Sequence, residues 1–445
     1  MPIAICLEMA VHRDEIAFSA LAPLVACAAE GAVSPPAIPG SAGAPLAGQP
    51  PARSPIIETP NLFKPGWRDE RYAIPDLAPD RILIARLQTR FLTIRPGVEL
   101  IIDYTAFGQD DASLAQVGLQ ANRLEVRSAS LEFTGEAGLQ RRFDYKIGVQ
   151  YNGFDVETDE TFTVSDFNIA FSIPKWRTRV RLGQMREDFG LEIVGSTATM
   201  PQSERILGPF ASPINFGLKV THVLGQDDRA TFTYGIFKDD WGEGDGKAAI
   251  SARATVLVID EPRRRLHLGA ALRHADISGE TQYRGKPGVA AADDFVDTGL
   301  FPTRSATHFG LEAHYAQGPW SVIGEFASAR PDVPAGPDPV FRGYYLMGSW
   351  VPTGEQRAYD RNTGLLKRIM PTGRWGAPEL LARYAAVDLS SGRIDGGRYD
   401  RVEIGANWWA TTRWKFGMTY GHVWLRRDGQ TGRTQSLVTR LQWIY

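Results

Sequence analysis

The chain has 445 residues, 43% of them apolar and 22% charged, with a formal net charge of -2. That balance excludes a disordered chain, and it offers no polybasic surface for nucleic acid or for membrane anchoring. Its two cysteines, Cys6 and Cys27, sit near the N-terminus, so the body of the chain has no thiol for a zinc cluster, a nucleophile or a disulfide framework.

Residues 1–29 read as an irregular export signal. The apolar stretch from Ile16 to Ala29 ends in small residues, and Leu24 to Cys27 resembles a lipoprotein cleavage box. An alanine-rich leader without export function is the equal alternative. Residues 30–96 read as a flexible linker rich in Pro, Ala, Gly and Ser, followed by a mixed N-terminal segment. No uncharged apolar run approaches the ~20 residues of a spanning helix.

From Gly97 to Tyr445 the texture changes. Runs of about ten residues alternate apolar and polar, with turn residues between them. Phe143, Tyr145, Ile147, Val149 and Tyr151 share one face, opposite Arg142, Asp144, Lys146, Gly148 and Gln150. Val402, Ile404, Ala406 and Trp408 likewise oppose Arg401, Glu403, Gly405 and Asn407. A period of two places alternate side chains on opposite sides of a sheet. Such runs fall near 98–107, 123–133, 142–151, 163–173, 177–185, 215–223, 230–237 and 250–258. They continue near 265–274, 307–316, 319–329, 341–351, 378–388, 400–410, 413–424 and 435–445.

The even number of runs predicts an all-β fold, a transmembrane antiparallel barrel of 16 strands. Connections near 135–140, 174–175, 226–228, 318–319 and 411–412 are short. Those at 185–214, 239–249, 275–306 and 352–377 are long. Short turns at one rim and long loops at the other are what a membrane barrel shows. The last run puts Leu437, Thr439, Leu441, Trp443 and Tyr445 on one face. A terminal strand ending in an aromatic resembles the signal read by the barrel-assembly machinery of the bacterial outer membrane.

In lipid every strand N–H and C=O must find a partner, and closing the sheet removes its edges. Apolar side chains then face lipid and polar ones line water. In the run beginning at Trp176, Arg177, Arg179 and Arg181 fall at alternate positions, stacked ~6.6–6.8 Å apart along the strand. Like charges in such a column need water, anions or carboxylates to screen them. Arginine suits phosphate because its planar donors engage two oxygens. Pairing with Asp144 or Asp166 on neighbouring strands is the equal alternative. Arg142, Lys146 and Lys219 join the column as wall cations, and Arg186 and Arg205 as cations of the long 185–214 connection. Folded inward, that connection would narrow a pore; folded outward, it is a surface loop.

Catalytic signatures are thin. The seven histidines form no HExxH motif, and His308 and His314 are read as ordinary polar strand positions. Gly242 to Gly246 resembles a calcium or phosphate turn only as far as loop composition allows. No catalytic residue, metal site or cofactor is expected.

Three stretches resemble the phosphate-selective porin O and P family. They are Val180 to Glu192, followed by Met200 to Phe216 with Glu204-Arg205; Gly343 to Glu355, followed by Pro378 to Leu389; and Val402 to Tyr445. The resemblance spans roughly residues 97–445. It implies a sixteen-stranded outer-membrane barrel, commonly a homotrimer, with its third loop folded into the pore. It also implies passive uptake of small anions, phosphate or polyphosphate, from a setting of outer-membrane lipid and lipopolysaccharide. The sequence departs from the family in mixing both signs of charge along the lumen and in carrying Asp188 where a proline is usual. A plugged barrel that binds or adheres through its outer loops is the competing reading.

Overall fold

A computed structural model of the protein describes residues 87–88, 91–138, 142–151, 162–211, 213–225, 227–238 and 247–445. The expected export signal, nearly all of the expected linker segment and the Gly242 to Gly246 turn lie outside the described residues.

Sixteen strands form the wall. In chain order they are β1 (Thr93–Gln109), β2 (Arg123–Ala137), β3 (Phe143–Tyr151), β4 (Phe162–Ile173), β5 (Thr178–Arg186), β6 (Ile214–Leu224), β7 (Ala230–Lys238) and β8 (Ala249–Glu261). They continue with β9 (Arg264–Thr281), β10 (Phe301–Gln317), β11 (Trp320–Asp332), β12 (Phe341–Trp350), β13 (Ala377–Ser391), β14 (Ile394–Trp409), β15 (Trp414–Arg427) and β16 (Gln430–Ile444). Each strand pairs antiparallel with the next. The sheet closes because β16 returns to β1, with Asp103 opposite Arg440 and Gln109 opposite Thr434. All sixteen runs of alternation in the sequence are strands of this barrel.

The alternation sorts side chains as lipid and water would require. On β14, Arg401 and Glu403 are each 1% exposed, whereas Val402 and Ile404 between them are 42% and 59% exposed. Leu380 and Tyr384 on β13 and Phe416, Met418 and Tyr420 on β15 extend the same apolar exterior. Trp320 and Trp350 stack on neighbouring strands near the end that carries the short turns, and Trp414, Trp443 and Tyr445 lie at that same end. Rings with a polar edge favour the level where hydrocarbon meets headgroups.

One end of the barrel carries the turns 174–177, 262–263, 318–319 and 410–413 together with Tyr445. The opposite end carries the connections 187–213 and 282–300. The rhythm expected from the sequence breaks in the last third of the chain. The connection 351–376, expected among the long loops, joins β12 to β13 at the turn end. Two connections at the loop end are only two residues long, 392–393 and 428–429. The second is an Asp-Gly turn in which Asp428 and Gly429 both have positive φ, 54° and 71°, the geometry of a tight hairpin. Turn length is set by local chemistry, so it follows the rim only on average.

Candidate functional site: the charged interior

The buried faces of the strands carry most of the ionisable side chains. The wall from β2 to β6 holds an ion-pair lattice that is still partly open to solvent. Lys146 on β3 lies 2.8 Å from Glu132 and 3.0 Å from Asp166, on the strands to either side. Arg179 on β5 lies 3.0 Å from Asp144 on β3. These side chains remain between 19% and 40% exposed, so each pair is weakened by water and salt.

Arg181 and Lys219 face each other directly across β5 and β6. Like charges in that relation repel unless a counter-charge stands beside them. Lys219 has one: its Nζ is 2.9 Å from Asp188 and donates to the Arg186 carbonyl at 3.1 Å. Among the described residues Arg181 has no carboxylate partner, and its Nε is buried without a hydrogen bond. The Arg181–Lys219 step therefore concentrates positive charge on one patch of the interior.

Arg177 belongs elsewhere. It precedes β5, capping the 3-10 turn 174–176 in the left-handed region at φ 52°. Its guanidinium donates to the Gly225 carbonyl and pairs with Asp228, both in the adjoining turn. The arginine column predicted from the sequence thus has two members within the strand, Arg179 and Arg181. Arg142 sits exposed at the turn end of β3. Arg186 closes β5 where the chain leaves the wall.

The connection 187–213 is tied to strands all around the barrel. Glu187 pairs with Arg273 on β9 at 2.8 Å, and Glu204 with Arg127 on β2. Glu192 lies 3.1 Å from Arg383 on β13. Glu325 on β11 accepts the N–H groups of Leu191 and Glu192, each at 2.7 Å, at the start of the short helix Leu191–Val194. On the remaining side, Asn407 of β14 donates to the Pro201 carbonyl and Gln442 of β16 to the Ala198 carbonyl. Arg205, expected as a cation offered by this loop, spends its donors within it, on the carbonyls of Glu192 (2.9 Å) and Gly195 (2.8 Å).

Glu204 shows what these anchors do to acidity. Burial alone would raise its pKa, but the Arg127 guanidinium and the Arg205 backbone N–H hold it down to about 2. The residues that the sequence left unassigned here are Arg127, Glu325 and Arg383 as anchors. Their strand positions are visible in the alternation. Their partners, 77 to 191 residues distant, are not.

The family model for phosphate-selective porin O and P matches residues 100–445. The chain belongs to the phosphate-selective porin O and P family. Its membership and its closed sixteen-strand wall place it in the bacterial outer membrane. Among solved structures, the chain is similar to an anion-selective porin from Comamonas acidovorans, at 12% identity and a TM-score of 0.50, covering 80% of this chain and all of that one. That likeness is one of fold. An outer-membrane protein of Vibrio cholerae, OmpT in trimer form, aligns at 10% identity with a TM-score of 0.48 over 79% of this chain and all of that one. An uncharacterized protein of Caulobacter vibrioides is 30% identical over 168 residues, which are 35% of this chain and 34% of that protein. The chain thus matches only about a third of the length of that curated relative.

Proposed function

We propose that this member of the porin O and P family is a passive outer-membrane channel for small anionic solutes, phosphate or polyphosphate among them. The observation that carries the reading is the Arg181–Lys219 step, an incompletely neutralised pair of cations on the inner face of a closed, apolar-coated barrel. Arg179, Lys146 and Arg142 extend positive charge along the same wall toward the turn end, the first two within a field of carboxylates. The 187–213 connection acts as the inward-folded third loop that narrows the path, with Arg186 at its start and Arg205 within it. Its bonds to eight strands from both sides of the barrel support that role. Because most interior cations are paired with acids, the preference is for anions in general rather than a strict phosphate filter.

In this reading the native assembly is a homotrimer in outer-membrane lipid and lipopolysaccharide. It is delivered by the assembly machinery through the strand that ends at Tyr445. Planar-bilayer recordings test the channel reading. Stepwise conductance is expected, with a reversal potential in a KCl gradient that favours chloride and a current that falls when phosphate is added. A reversal potential at zero, unmoved by phosphate, defeats the anion preference.

A plugged barrel working through its loops is the second reading. The observation that favours it is the dense interior beside β9 to β15. There Phe189, Leu191, Ile206 and Phe210 pack with Tyr283, Phe295, Phe341 and Tyr399. A protein that inserts into bilayers and never conducts supports that reading.

A further inference from the structure

The connection 351–376 is built far beyond what joining β12 to β13 requires. It forms a small hairpin, pairing Tyr359–Asp360 with Leu365–Leu366, and the hairpin is fastened to the inner faces of β8 and β9. Tyr359 Oη lies 2.7 Å from Nδ1 of His267, whose other ring nitrogen lies 2.8 Å from Glu312. Arg253, paired with Glu312, donates to the carbonyls of Thr363 (2.9 Å) and Gly364 (3.0 Å). Gly364 has φ 65°, and a Cβ there would lie 2.6 Å from Thr255 Oγ1. The tip therefore rests on β8 with no room for a side chain.

The far side of this connection meets the 187–213 connection arriving from the opposite end of the barrel. Arg357 is 3% exposed and uses its guanidinium three ways. It donates to the Thr199 carbonyl, to the Lys367 carbonyl at 3.2 Å and to Glu379 on β13. Thr199 Oγ1 donates to the Leu366 carbonyl at 3.4 Å. Glu379 also accepts from Asn407, which donates in turn to the Pro201 carbonyl at 2.7 Å. One buried arginine thus ties together the wall, the turn-end connection and the backbone of the loop-end connection.

From this geometry we infer that the 351–376 connection fixes the position of the 187–213 connection and so sets the narrowest cross-section of the channel, with Arg357 as the positioning residue. The inference rests on the channel reading above. A guanidinium can bridge three acceptors in fixed directions because its donors are planar and rigid. A loop held at both its flanks and its middle has fewer accessible states than one held at its ends alone. Losing the bridge releases the Thr199 carbonyl, while the anchors at Glu187, Glu192 and Glu204 and the bonds from Lys415 to the Met200 carbonyl and from Asn407 to the Pro201 carbonyl stay in place. The loop then fluctuates instead of unfolding.

The experiment uses the full chain in planar bilayers. R357M/E379Q removes both partners together, so neither is left buried without the other. Its unheated gel migration is expected to match the parent barrel. Its single-channel conductance is expected to rise about twofold, with added current flicker and a larger size cutoff for uncharged polymers. Y359F removes one hydroxyl from the other face of the hairpin, and its expected rise is smaller, about 1.2-fold, with the same flicker. Should R357M/E379Q fail to assemble, Y359F decides alone. Conductance, flicker and cutoff equal to the parent in every variant that assembles overturn the inference while leaving the channel reading intact. A silent parent protein defeats the channel reading, and this one with it.

Discussion

The wall from β2 to β6 and the wall from β8 to β16 carry the same alternation, yet they use their charges differently. On the first wall, Lys146, Arg179, Glu132 and Asp144 pair along the surface and stay partly wet. On the second, Arg253, Arg383, Arg401 and Arg440 are at most 3% exposed at the side chain and are matched to acids that are no more open. The difference comes from what covers them. The connections 187–213 and 351–376 reach their polar anchors mainly on the second wall, and burial turns each anchor into an obligate pair. Interior charge near β8 to β16 therefore holds structure together, while interior charge near β2 to β6 stays partly open to water.

The sharpest way to break that contrast is to remove one buried partner. Arg383 faces Glu192 at 3.1 Å and Glu403 at 2.9 Å, all three excluded from water. Arg383→Met strands the Glu192 carboxylate, whereas Glu403 keeps Arg401 at 2.9 Å, and breaking a buried pair in this way costs about 3–5 kcal/mol. The temperature at which the barrel loses its compact gel migration is expected to fall markedly. R383M/E192Q removes the stranded charge while leaving the Arg401–Glu403 pair intact, and is expected to recover most of the loss. An unchanged transition in R383M alone means that the second wall is wetter than the geometry requires.

Glu204 tests the same idea through pH. Its folded pKa, about 2, lies below the ordinary carboxylate value, so its ionised form is favoured in the folded state. The stability it contributes is present above the unfolded value of ~4.3 and is lost as pH falls toward about 2, at most about 3 kcal/mol. Acid titration of the parent barrel is expected to show a loss of stability across that window. In Glu204→Gln that component is absent, and stability at neutral pH starts lower. Identical acid profiles for the two proteins remove Arg127–Glu204 from the list of anchors.

The contrast also explains which parts of the molecule the sequence discloses. Alternation is a local signal, and it located all sixteen strands and their two faces, as the opposite exposure of Arg401 and Val402 shows. It says nothing about depth of cover. Arg179 and Arg383 look alike in sequence, both cations on the polar face of a strand, and only the connections packed over them make one wet and the other dry. Arg177 escaped the pattern for a different reason. The turn Pro174–Trp176 ends on it in a left-handed conformation, so its place in the run of alternating arginines is an accident of spacing. The 351–376 connection was readable as long, but a chain of alternating strands assigns a connection to one rim only by counting. The counted rhythm of short and long failed there because two loop-end connections are tight turns.

A moderate effect is expected at Arg181, where the first wall departs from pairing. Arg181→Ala removes the cation opposite Lys219 without stranding any acid, since among the described residues none is paired with it. Assembly and thermal stability are expected to match the parent. The ratio of anion to cation permeability is expected to fall about two- to threefold, read as a shift in reversal potential in a KCl gradient. An unchanged ratio would transfer the proposed anion step away from β5 and β6.

The smallest effect belongs to Lys146, and its smallness is informative. It stands between Glu132 and Asp166 with about a third of its side chain open to water. Lys146→Ala leaves two carboxylates that solvent already reaches, so the cost is expected below about 1 kcal/mol, against several for Arg383. The exposed acids should add a slight cation preference in dilute salt. In 1 M KCl, where the screening length is ~3 Å, that preference is expected to vanish while conductance stays at the parent value. Salt-insensitive selectivity in Lys146→Ala would show a dry first wall, and the two sides of the barrel would then obey the same rule.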